Sequence, residues 1–296
     1  MADYGLALSG GGTKGAIHVG VLTALEENGL LPDRIAGASA GSIVAGLYAS
    51  GMDIGALREN VRWLAKHGDN YIDPNILGVL LFLPQVLLHR SPLLMGLIKG
   101  NRLLHYLCDL TEGLEIQDCQ KGLLIPTVDL NSGNTVVFTN LFEEKAPISA
   151  LREENVKWQK NGLLCDIMMA SSSVPAVFSP RPINGYMLVD GGVTNNLPVD
   201  LFIAAGESRV LAVDIGDAYD MPKDHSIMEI AFHSFSIMSR ELKDCRSSGE
   251  ILLLKPPIPK GAGLLTFEYM EECMESGYVY TKKMMPRIRR ALEKTT

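Results

Sequence analysis

The residues Leu6–Gly20, LALSGGGTKGAIHVG, constrain the fold more than any other stretch of this 296-residue chain. A short apolar run, Tyr4–Leu8, passes over Ser9 into Gly10, Gly11 and Gly12, and Lys14–Asn28 then carries Ile17, Val21, Leu22 and Leu25 at helical spacing. A strand that turns over glycines straight into a helix sends the chain back along the sheet, so the next strand returns parallel through a right-handed crossover. Arg34–Ala38 reads as that strand, and Ser42–Ser50 as a small-residue helix closed by Gly51. The opening order is therefore β-α-β-α.

Downstream, Leu123–Leu130 and Thr135–Thr139 flank NSGN, and Asn184-Gly185 separates two short strands in PINGYMLVDGG; both are hairpin signals. Leu163–Ser171 reads as a helix, and Val199–Ala205, Arg209–Asp214, Ile227–Leu242, Ile251–Leu254 and Phe267–Ala291 alternate helix and strand. The expected fold is α/β, a three-layer α/β/α sandwich with a mostly parallel central sheet. With 47% hydrophobic residues the chain can bury such a core as one domain over residues 1–296.

The glycine loop has the G-x-G-x-x-G spacing of a dinucleotide site at Gly10, Gly12 and Gly15. A P-loop fails because Ala16-Ile17, not Lys-Ser/Thr, follow Gly15. The dinucleotide reading also needs an acid at the tip of the second strand to hold a ribose, and Asp33 lies at the wrong end. What stands at that tip is GASAG, Gly37–Gly41, with Ser39 at its centre. G-x-S-x-G between strand and helix is the pattern of a nucleophile elbow: the tight turn strains the serine, and the helix N-terminus favours an alkoxide. Both loops leave the same sheet edge, so N–H groups of Gly10, Gly11 or Gly12, joined by Ala40, form an expected oxyanion hole beside Ser39. A nucleotide-binding regulatory module remains as a weaker alternative.

Ser39 needs a general base. His225 and His233 would suit an α/β-hydrolase order, but that fold places its elbow after several strands, whereas Ser39 follows only the second. Two carboxylates end apolar strands: Asp190, before Gly191 and Gly192, and Asp214 in VLAVDIGD. The residues alone leave the choice between them open.

SGGGTKG, GASAG and VDGG, in this order, resemble the patatin-like phospholipases over about Gly5–Pro198, with ASSSVPAVFSP and NNLPV similar to further family stretches. The resemblance implies a lipid acyl hydrolase that uses a Ser–Asp dyad without histidine, with Ser39 as nucleophile and Asp190 as base. It places oxyanion donors at Gly10–Gly12 and Lys14 at a basic position, and it implies a lipid or acyl-ester substrate, no cofactor and no metal. Transacylation of the same acyl group is the alternative reaction. Ser173 and Gly192 depart from the family pattern, where a small apolar residue and often Ala are expected.

Residues 52–119 match no pattern and read as an inserted helical cap, with amphipathic helices at Ile54–Lys66 and Arg102–Leu110. Between them, the unbroken apolar run Ile76–Leu83 stops at Pro84, short of the roughly 18–20 residues that cross a bilayer. Residues 76–98 therefore read either as a lid in peripheral contact with a membrane or as a hairpin packed on the core. The basic end, Lys282, Lys283, Arg287, Arg289, Arg290 and Lys294, reads as a solvated helix face. A net charge of −7 argues against nucleic acid as a partner. Met1–Tyr4 does not resemble a signal peptide, and Cys108, Cys119, Cys165, Cys245 and Cys273 show no paired spacing, so the expectation is buried thiols in a cytoplasmic protein. The oligomeric state is not legible.

Overall fold

The computed structural model describes residues 4–88, 94–141, 155–216, 227–246 and 249–293. Nine strands form one sheet: β1 (Gly5–Leu8), β2 (Arg34–Gly37), β3 (Gly122–Asp129), β4 (Thr135–Thr139), β5 (Val156–Gln159), β6 (Arg181–Ile183), β7 (Tyr186–Asp190), β8 (Val210–Val213) and β9 (Glu250–Leu254). The main order is β5-β4-β3-β2-β1-β8-β9, with β7 pairing to β3 and β6 to β7. The pairs β2–β3, β1–β2, β1–β8, β8–β9 and β4–β5 are parallel, while both hairpins and the β3–β7 pair are antiparallel. The expected mostly parallel sheet is thus present, with β5 as an edge strand that the pattern VKWQ did not announce.

Nine helices are described: α1 (Ala16–Glu26), α2 (Ala40–Ala49), α3 (Ile54–His67), α4 (Ile76–Leu87), α5 (Asn101–Thr111), α6 (Leu164–Ser171), α7 (Val199–Ala204), α8 (Ile227–Arg246) and α9 (Met270–Glu293). Alternate strand residues feed two cores, as the two-residue period requires. Leu6, Leu8, Ile35, Leu123 and Ile125 join the cluster containing α1, α2, α6 and α9 residues. Ala7, Ala36, Leu124 and Ala212 join Val199, Leu201 and Phe202 of α7 on the other face. Helices therefore cover both faces of the sheet.

One expectation needs correction and one open alternative is decided. Cys108 of α5 and Cys165 of α6 are joined as a disulfide, with Cys119 and Cys273 free; the Cys245 side chain lies outside those described. The two bonded cysteines are 57 residues apart, and packing of α5 on α6 brings them together where sequence spacing gave no signal. Residues 76–88 do not pack on the core: Ile76, Leu80, Leu87 and Leu88 are each more than 60% exposed. Pro84, where the unbroken apolar run stops, lies inside α4. At the basic end the expected solvated face is present: Lys282, Lys283, Arg287, Arg289 and Arg290 are all exposed, with Lys282 paired to Glu27 at 2.8 Å and Arg289 reaching Asn28, while Lys294 lies outside the described residues.

Candidate active site

β2 and β7 occupy the same row of the sheet. β3 pairs with β2 up to Ala36↔Leu124, and three residues later its next stretch pairs with β7, Thr127↔Asp190. Because β2 is parallel to β3 and β7 antiparallel, their C-terminal tips meet head to head. Ser39 lies just beyond one tip and Asp190 ends the other. Across the gap Ser39 Oγ donates to Asp190 Oδ2 at 2.7 Å.

The turn at Ser39 is tight. Its φ of 52° and ψ of −127° lie where non-glycine residues rarely go. A Cβ on Gly37 would strike the carbonyl of Gly41, and one on Gly41 would come within 2.6 Å of Leu8 O, so the elbow requires glycine on both sides. The Ser39 N–H donates to Ser171 Oγ at 3.1 Å, and that hydroxyl donates to Pro126 O at 2.7 Å. Ser171 thereby spans the gap between the β2 and β7 pairings of β3. Its signal in the sequence was the serine run that ends α6, not any spacing to Ser39.

Asp190 is 1% exposed. Its Oδ1 accepts from Gly192 N at 2.6 Å, and its own N–H donates to Ser173 O at 3.0 Å. Burial pushes its carboxyl up to about 7, against the smaller opposing pull of the Ser39 and Gly192 hydrogen bonds. Asp214, the other strand-tip carboxylate, is committed elsewhere: Oδ2 meets Lys243 Nζ of α8 at 2.6 Å and Oδ1 accepts from Gly216 N. The geometry therefore separates the two acids that the sequence left level. His225 lies outside the described residues. His233 of α8 lines the cavity over Ser39, but the bond at Ser39 Oγ goes to Asp190.

The glycine loop and the α2 N-terminus converge as expected. Gly10 is corrected as a donor, because its N–H is given to Asn196 O at 3.1 Å. Among the described residues no hydrogen bond claims the N–H of Gly11, Gly12 or Ala40. Lys14 is buried and, like Gly10–Gly12, lines the cavity at Ser39. Gly15 packs its α-carbon against the Ala40 methyl, which holds the loop to α2.

Two cavities open on Ser39. The more polar one, of about 260 Å³, runs past Lys14, Asp190, His233, Arg240 and Lys243. An apolar one of about 140 Å³ runs between Val19, Val44, Leu57, Val61, Leu103 and Phe178. Among the described residues no cluster of His, Cys, Asp and Glu could hold a metal ion.

The sequence profile of the patatin-like phospholipases matches residues 6–203, from β1 to α7 and across both strand tips. The chain belongs to this family. Within it, a putative patatin-like phospholipase domain-containing protein of Caenorhabditis elegans is 27% identical over 73% of this chain and 17% of its own length. Neuropathy target esterase sws of Drosophila melanogaster is 23% identical over 98% of this chain and 20% of its own. The crystal structure of VipD from Legionella pneumophila aligns with a TM-score of 0.49 at 15% identity, covering 97% of this chain and 67% of that one. This patatin-like chain thus spans about a fifth of the length of the two relatives.

Proposed function

We propose that this patatin-like protein is a lipid acyl hydrolase working through Ser39 and Asp190. The observation that carries the reading is the 2.7 Å bond from Ser39 Oγ to a buried carboxylate whose pKa lies at about 7. A carboxylate of ordinary acidity is a poor base for a serine; one raised to neutrality is poised to take and return a proton. Asp190 Oδ2 accepts the Ser39 proton as Oγ attacks the ester carbonyl carbon. The N–H groups of Gly11, Gly12 and Ala40 receive the tetrahedral oxyanion, a class of interaction typically worth about 10²–10³ in rate per donor. Collapse breaks the C–O bond, and Asp190 returns the proton to the departing alcohol. Water, deprotonated by the same carboxylate, then frees the fatty acid from Ser39.

The pair of cavities supports an amphiphilic substrate: an acyl chain on the Val44–Leu57–Phe178 side and the alcohol on the Lys14–Arg240 side. Residues 52–119 act as a cap over the acyl side, since α3 and α5 supply its walls, and peripheral contact with a lipid surface belongs to this reading. The test is fatty-acid release from a lysophospholipid and from a p-nitrophenyl ester. Ser39→Ala and Asp190→Asn should each lose at least about 10³-fold while remaining folded. Full activity of either variant would contradict the assignment, and an acyl product on an added alcohol instead of free acid would make the enzyme a transacylase.

A further inference from the structure

We propose that α4 is a bilayer-inserting wedge that seats the cap on an anionic lipid surface with the mouth of the acyl cavity turned toward it. The lipid identity of that surface rests on the acyl-hydrolase reading. The wedge itself rests on the following geometry.

Of the twelve residues of α4, Gln85 alone is polar. Exposed Ile76, Leu77, Val79, Leu80, Leu81, Phe82, Val86 and Leu87 cover about 260° of the helix circumference at roughly 100° per residue, leaving only the narrow side that carries Gly78 and Gln85. An amphipathic helix awaiting a protein groove, or a second copy, shows one apolar face and one wet face. A helix apolar over all but one narrow side matches a medium that is apolar around it. At 1.5 Å per residue α4 is roughly 18 Å long, enough for one leaflet of a hydrocarbon core about 30 Å thick and too short to cross it.

The base of α4 has the chemistry of a membrane interface. Trp63 is half exposed, stacks on His67 and donates from Nε1 to Tyr71 Oη at 3.1 Å, and Tyr71 lies against Tyr106. Trp and Tyr favour the headgroup level because each has an apolar body and a polar tip. Exposed cations Arg62, Lys66, Lys99 and Arg102 outnumber the carboxylates Glu59, Asp69 and Asp73 in the same segments, and Asp73 is already capping α5 through Gly100 N and Asn101 N. On a protein of net charge −7 this patch is complementary to anionic headgroups.

The wedge is coupled to the site. Asn75 N donates to Leu97 O and Lys99 N to Asp73 O, pinning the base of the excursion. From there Leu97 N and Ile98 N donate to Ala176 O and Val177 O, in the loop whose Val174 and Phe178 line the apolar cavity.

The full chain is floated with vesicles of phosphatidylcholine alone and of phosphatidylcholine–phosphatidylglycerol in equal parts. Wild type and Ser39→Ala should both float with the anionic vesicles. Leu80→Glu/Leu87→Glu should lose at least about tenfold in bound fraction while its hydrolysis of a soluble p-nitrophenyl ester is unchanged. In Trp158→Phe, which leaves Trp63 as the sole tryptophan, emission should shift to the blue with the same vesicles. Flotation of the double glutamate variant equal to wild type overturns the proposal. So does a wild type that stays with the unbound protein, including one that forms an α4-dependent dimer instead. Because Ser39→Ala is scored for binding and the ester assay for chemistry, failure of the hydrolase reading and failure of the wedge give different results.

Discussion

Asp190 is held in a tension that sets two measurable quantities. Burial favours its neutral form, yet a proton acceptor is needed at Ser39 Oγ. On a soluble ester, kcat/KM should climb close to tenfold per pH unit below about 7 and level off above it. The same shift carries a stability cost. Between the unfolded value of 3.8 and the folded value of about 7, the native state holds a proton that the unfolded chain has lost. Stability from this group is therefore full below 3.8 and falls as pH rises toward 7. Asp190→Asn removes that loss, so its unfolding free energy should gain on wild type across this window, by up to roughly 1.4 kcal/mol per pH unit, and stay parallel above it. A variant that tracks wild type from pH 4 to 8 would mean that the carboxyl titrates normally.

At the scale of elements, the elbow depends on β2, α2 and β1 approaching through glycine. Gly41→Ala places a methyl within 2.6 Å of Leu8 O, so either α2 moves off the sheet or Ser39 leaves its strained turn. Thermal denaturation should show a loss of about 1–3 kcal/mol, with hydrolysis falling further than stability does. The elbow was legible in the sequence because a strand tip, a serine and flanking glycines are contiguous. The choice between Asp190 and Asp214 was not, because it depends on β7 pairing antiparallel to β3 and so meeting β2 head on, while Lys243 arrives from α8 to claim Asp214. For the same reason Ser171 and Asn196 went unassigned: each acts on a loop more than 100 residues away in the chain. The helical continuity of α4 through Pro84 was not legible either: a proline inside a helix forfeits one backbone bond and crowds the carbonyl four residues back, and an exposed helix has no packed neighbour to be displaced by that distortion.

Across the whole molecule, the sheet brings strand tips to one edge and the flanking helices divide the space there into a charged and an apolar half, both opening on Ser39. The alternation of strand and helix was enough to predict that edge; the division was not, since its walls come from α1, α2, α3, α5 and α8 together. The Cys108–Cys165 link belongs to this scale as well, tying α5 beside the apolar cavity to α6, whose last residue holds the Ser39 N–H. Peptide mapping after alkylation of the denatured, unreduced protein should find Cys119 and Cys273 modified and Cys108 and Cys165 protected; modification of all four would place reduced thiols there. The central claim, that Ser39 is a nucleophile activated by Asp190, is tested most directly by intact-mass and peptide analysis after reaction with a fluorophosphonate. The account predicts one adduct, on Ser39, absent in Ser39→Ala and at least about 10²-fold slower in Asp190→Asn. An adduct on another residue, or undiminished labelling of Asp190→Asn, would contradict it.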